Sequence, residues 1–156
     1  MAPPALLCFD GSPQSRSAIE HAGQLLGGGP AVVVTAWESA DTFVGFDPVS
    51  AVSETVGRLA GLEREMDEIG NELAEHTAAA GAELAHEHGF EAEARAVEGK
   101  PWSAIVRTAD EVDARIVVLG SRGLSRVESA VLGSVSHGVV QHCTRPVLVV
   151  PKLDGT

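Results

Sequence analysis

The stretch Ile116 to Val139, I-V-V-L-G-S-R-G-L-S-R-V-E-S-A-V-L-G-S-V-S-H-G-V, constrains this chain more than any other. A β-branched run ends at Gly120, Gly123 follows, and nine residues later comes Gly133-Ser134-Val135-Ser136. That order predicts a strand, a glycine loop and a helix start. Bare backbone N–H groups in such a loop can wrap an anion at the helix N-terminus.

The rest of the chain repeats the alternation. Ala5 to Phe9 is a short apolar run that stops at Asp10-Gly11-Ser12-Pro13, so it predicts a buried strand running into a turn. Ser12 can cap the following helix, with Pro13 at its first position. That helix runs to Leu26, and Gly27-Gly28-Gly29-Pro30 ends it. Ala31 to Trp37 is nearly continuous in apolar residues, as a strand covered on both faces must be. Glu38 to Ser50 reads as a turn-like segment.

From Ser53 to His88 the pattern is helical. Val56, Leu59, Leu62, Met66, Ile69, Leu73, Thr77, Ala80 and Leu84 recur at spacings of three and four, with most acids between them. This stripe is expected to face the core. Gly57, Gly61, Gly70 and Gly81 predict a bend or a break. Glu91 to Val97 alternates charged and apolar residues, as a strand near a sheet edge does. A helix over Trp102 to Val112, a strand over Arg115 to Gly120, a helix over Ser134 to His142 and a strand over Val147 to Val150 complete the order. The expected fold is a single α/β domain over residues 1–156, a doubly wound parallel sheet. Such sheets bind ligands beyond the carboxyl ends of their strands, where strand order reverses.

Charge separates the ends of the chain. The formal net charge is −11. Residues 53–93 hold 11 acids and 2 bases, whereas residues 94–156 hold 6 acids and 8 bases. A nucleic acid would be repelled by the molecule as a whole, while a small phosphate ligand at the basic end would not. No apolar run approaches the ~20 residues of a membrane span. Cys8 and Cys143 suit a reducing compartment better than a disulfide framework. The expectation is a cytoplasmic protein bound to neither nucleic acid nor membrane.

The glycine loop fits neither common phosphate motif. A P-loop needs Lys after its last glycine, and Ser134 is followed by Val135. A dinucleotide fingerprint needs three close glycines after the first strand, where this chain has Asp10-Gly11-Ser12. What remains is glycine, two residues, glycine, nine residues, glycine, Ser. With Phe9-Asp10-Gly11-Ser12 and the terminal Pro146-Val147-Leu148-Val149-Val150-Pro151, this spacing resembles the universal stress protein family, in its ATP-binding branch.

The resemblance implies a five-stranded sheet in the order 3-2-1-4-5, with helices on both faces. It implies ATP as ligand; Mg²⁺ is a candidate accompanying ion that Asp10 alone could hold. Asp10 would meet the ribose or adenine side and the Ala36 backbone the adenine edge. Gly120, Gly123, Gly133, Ser134, Val135 and Ser136 would hold the phosphates, and Arg122 would add positive charge. It also implies a homodimer through the edge strand Val147 to Val150. The expected role is a nucleotide-dependent stress-response module acting on a protein partner.

Two other readings keep the fold. One is a slow ATPase or phosphotransferase, with Ser134 or Ser136 accepting phosphate; no catalytic residue is assigned, because no base is poised over a terminal phosphate. The other exchanges the ligand for cyclic AMP or flavin mononucleotide. Trp37 and Trp102 read as packing residues, and the six histidines are spaced poorly for a metal.

Overall fold

The computed structural model describes residues 2–40, 53–121 and 132–151, with side chains of the second segment described from residue 61. Five parallel strands form one sheet in the order β3-β2-β1-β4-β5. In chain order the elements are β1 (Ala5–Cys8), α1 (Pro13–Leu26), β2 (Gly29–Trp37), α2 (Ser53–Glu87), β3 (Phe90–Glu98), α3 (Pro101–Glu111), β4 (Ile116–Gly120), α4 (Ser134–His142) and β5 (Val147–Val150).

β1 holds the centre. Its Ala5 aligns with Ala31 of β2 on one side and Ile116 of β4 on the other. Strand alternation then divides the core into two layers. Ala5, Leu7, Phe9 and Val33 pack under α1 and α2, against Ile19, Ala22, Ala82 and Ala85. Leu6, Cys8, Val34 and Leu119 pack under α3 and α4, against Ile105, Ala109 and Val139. Helices therefore cover both faces, as the sequence predicts. β3 and β5 form the two edges, and the charged alternation of β3 leaves it largely exposed or half-buried.

A break in α2 and a core-facing apolar stripe, both open from the sequence, are corrected. The helix runs without a break from Ser53 to Glu87, despite its glycines. Its buried face is not the large apolar stripe but a column of small residues: Ala74, Ala78, Gly81, Ala82 and Ala85. Leu62, Met66, Ile69 and Leu73 are 55–62% exposed. The reason is steric. α2 lies so close to the sheet that a methyl group on Gly81 would sit 2.6 Å from the Phe9 ring and 2.8 Å from Val33. Only small residues allow that approach, and this outweighs the size of the apolar side chains elsewhere on the helix. The segment 41–52, which contains most of the expected turn after β2, lies outside the described residues.

α2 also outruns the sheet. Gly70 packs on Trp37, at the end of β2. The Asp67 carboxylate accepts the Ala40 N–H at 2.8 Å, three residues beyond that strand. The residues from Ser53 to Met66 therefore extend past the carboxyl ends of the strands, by about 20 Å at 1.5 Å per residue.

Candidate functional site

The carboxyl ends of β1 and β4 part because their chains turn to opposite faces of the sheet. The crevice between them is lined by Asp10, Ala36, Gly120, Ser121 and Gly133 to Ser136, with an apolar wall that includes Val34, Ile105 and Leu119. Its volume is about 200 Å³. That is below the ~300–1,000 Å³ of ordinary small-molecule pockets, so the walls formed by the described residues could enclose only part of a ligand of ordinary size.

Local chemistry fixes each wall. Phe9 donates its N–H to Val34 O at 3.0 Å, and the Thr35 hydroxyl donates back to Phe9 O at 2.7 Å. These bonds continue β1 one residue past Cys8 and aim Asp10 at the crevice. The Asp10 carboxylate accepts the Ser12 N–H at 2.9 Å. The Ser12 hydroxyl, in turn, accepts the Ser15 N–H at 3.1 Å and so caps α1. Asp10 is thus a turn residue and a lining residue at once, since its side chain is exposed. Gly120 is needed for closeness: a methyl group there would lie 3.3 Å from the Gln14 backbone.

α4 begins differently from α1. Gly133 stands at its N-cap in extended conformation and offers no side chain to the first-turn amides. Among the described residues no side chain caps the amides of Ser134, Val135 and Ser136, which carry the donor groups and partial positive charge of a helix start. Ser134 is exposed, whereas Ser136 is 2% exposed. The Ser136 hydroxyl donates to Ser121 O at 2.7 Å, with Gly133 O 3.1 Å away. Gly133 N–H donates to the same Ser121 carbonyl at 2.6 Å, and Ser121 N–H donates to Val150 O at 2.9 Å. The two ends of the glycine loop are tied to each other and to β5. Ser121 was not singled out from sequence; its carbonyl acts through the backbone, which residue type does not reveal.

Seven of the nine sequence-predicted residues meet in this one crevice: Asp10, Ala36, Gly120, Gly133, Ser134, Val135 and Ser136. Arg122 and Gly123 lie outside the described residues. Burial pushes the Cys8 thiol far above its ordinary range, with lesser contributions from Cys143 and Asp10. Cys8 is thus a neutral part of the apolar wall.

A model of the universal stress protein family matches residues 1–151. The chain belongs to that family. The Bacillus subtilis universal stress protein YxiE is 34% identical over 148 residues, which cover 93% of this chain and 96% of YxiE. Among solved structures, protein MJ0577 superposes with a TM-score of 0.78 at 21% identity, covering 99% of each chain. A universal stress protein in complex with cAMP gives a TM-score of 0.64 at 24% identity, covering 94% of this chain and 95% of the other. The Archaeoglobus fulgidus universal stress protein in complex with dAMP gives 0.64 at 22% identity, covering 96% and 98%. The shared fold is the five-stranded parallel sheet described above. In this universal stress protein Gly120 and Gly133, the described ends of the glycine loop, line the crevice at the topological switch point between β1 and β4.

Proposed function

We propose that this universal stress protein binds an adenine nucleotide, ATP, in the crevice between β1 and β4. The observation that carries the reading is the convergence of Asp10, Ala36, Gly120 and the uncapped start of α4 on one cleft. Family membership and the solved relatives bound to cAMP and dAMP support the same ligand class. The apolar wall at Val34, Ile105 and Leu119 suits a planar base. The amides of Ser134, Val135 and Ser136 suit phosphate oxygens at a helix N-terminus. Asp10 supplies an acceptor for ribose hydroxyls; Arg122 and Gly123, outside the described residues, are assigned to the phosphate side by the motif alone.

The donor set argues for binding without fast turnover. Asp10 is the one carboxylate among the described residues that line the cleft. A protein Mg²⁺ site usually takes one or two carboxylates plus substrate phosphates, so an ion here would ride on the nucleotide. Titration with ATP, AMP, cyclic AMP and flavin mononucleotide, read by thermal shift, tests the ligand. ATP labelled at the γ-phosphate tests the chemistry. Recovery of unchanged ATP is expected; a labelled protein or rapid release of phosphate would establish the phosphotransferase reading instead.

We also propose a dimer through β5, which its place at the sheet edge supports. Val147, Leu148 and Val149 are only half-buried there, and an apolar edge favours strand pairing. Sedimentation is expected to give twice the chain mass; a monomer at micromolar protein would remove this interface. Nucleotide binding would then bias the loop between Gly120 and Gly133 and the surface offered to a regulatory partner. The role fits a protein that works in the cytoplasm.

A further inference from the structure

Leu62, Met66, Ile69 and Leu73 form an apolar line on α2 that no other part of the described structure covers. All four are more than half exposed. Their spacings of four, three and four are those of a coiled-coil seam, narrower than a core-facing stripe. The core-facing work of α2 is done by its alanines and Gly81, on another side of the helix. Single exposed apolar residues are ordinary, but an ordered row of four on one face is not.

The rim of the row decides its occupant. Glu65 and Glu72 lie four before and three after Ile69, so they adjoin it on the helix surface. Glu63 lies three before Met66. The described Arg64 lies two residues from both Leu62 and Met66, about 200° around the helix, and faces away. The whole of α2 carries nine acidic and two basic residues. A second copy of this helix would set Glu65 and Glu72 against the same acidic rim. A helix with Lys or Arg beside its apolar residues would neutralise it.

We infer that the Leu62-Met66-Ile69-Leu73 face of α2 is a docking site for a basic amphipathic helix of a partner protein. Leucine-sized anchors of that helix fill the seam, and its flanking cations meet Glu65 and Glu72. Leu62 and Met66 lie on the part of α2 that runs out past the strand ends, and Ile69 and Leu73 continue the row on a side of the helix other than the one packed on the sheet, so a partner can approach without displacing the sheet. It does not depend on the nucleotide reading.

The test uses the full chain without nucleotide and two labelled three-heptad peptides. One is built of Leu and Lys and the other of Leu and Glu, and binding is read by fluorescence anisotropy. The Leu/Lys peptide is expected to bind and the Leu/Glu peptide to fail. Met66→Ser with Ile69→Ser should weaken binding about tenfold or more, the range of a lost central anchor. Glu65→Gln with Glu72→Gln should weaken it several-fold and flatten its salt dependence. Circular dichroism should show both variants folded, since these side chains are exposed. Failure of the Leu/Lys peptide to bind would overturn the inference, as would binding unchanged in the Met66/Ile69 variant. A wild-type dimer that this variant dissociates would also overturn it, by making a second copy the occupant.

Discussion

The Ser136 hydroxyl donates to the Ser121 carbonyl oxygen at 2.7 Å, across the base of the glycine loop. Ser134, two residues earlier, points outward at the mouth of the cleft. Two serines of one motif thus do different work, one tying the ends of the loop and the other lining the open cleft.

Ser136→Ala is expected to lower stability by about 1 kcal/mol, the usual net worth of such a bond. Ser121 O retains its bond from Gly133 N–H, so the loop loosens without opening. Ser134→Ala should leave stability within about 0.5 kcal/mol and reduce nucleotide affinity instead. Denaturant unfolding and nucleotide titration of the two variants, run together, separate these effects.

Gly120→Val should damage both. The new side chain meets the Gln14 backbone at the mouth of the cleft, where a methyl group alone would already be 3.3 Å away. The cost of overpacking is about 1–3 kcal/mol, and nucleotide binding should be lost with it. Thermal melts with and without ATP would show a lowered midpoint that no longer responds to the ligand.

Two glycines of α2 should respond in opposite directions to alanine. At Gly81 the added methyl would sit 2.6 Å from the Phe9 ring, so Gly81→Ala should destabilise by about 1–3 kcal/mol. At Gly61 the added methyl would meet no other part of the described structure within 4 Å. Gly61→Ala should stabilise by about 0.5–1 kcal/mol, through helix propensity. Urea midpoints of the two variants check the sign.

This contrast shows what the sequence could and could not say about α2. Strand and helix order were legible because periodicity and glycine punctuation are local signals. Ser134–His142 and Val147–Val150 have the bounds that the pattern predicts. Which side of α2 faces the sheet was not legible. Hydrophobicity pointed to Leu62, Met66, Ile69 and Leu73, but close packing on Phe9 and Val33 admits only small residues. Size rather than polarity decided the orientation, and size matters only once the partner surface is known. The cleft was legible where the motif bonds through glycine backbone and a helix start. Ser121 escaped notice because its part is played by a carbonyl.

Alkaline pH should reveal the Cys8 thiol. Burial raises its pKa in the folded protein, while the unfolded chain ionises near the ordinary ~8.5. Only the unfolded state then loses a proton, so Cys8 adds to stability fully at neutral pH and progressively less above about pH 8.5. The slope approaches about 1.4 kcal/mol per pH unit. The sequence has no Tyr and only Lys100 and Lys152 as lysines, so few other groups titrate there. Cys8→Ala should flatten the fall in unfolding free energy between about pH 9 and 10.5.

ATP is proposed to bind in the crevice between β1 and β4. Calorimetric titration of ATP, with Mg²⁺ present, into the wild-type chain and into Gly120→Val tests it most directly. The predicted result is saturable heat for one nucleotide per chain in the wild type and none in the variant. Absence of heat and of any thermal shift in the wild type, or equal binding by both proteins, would contradict it.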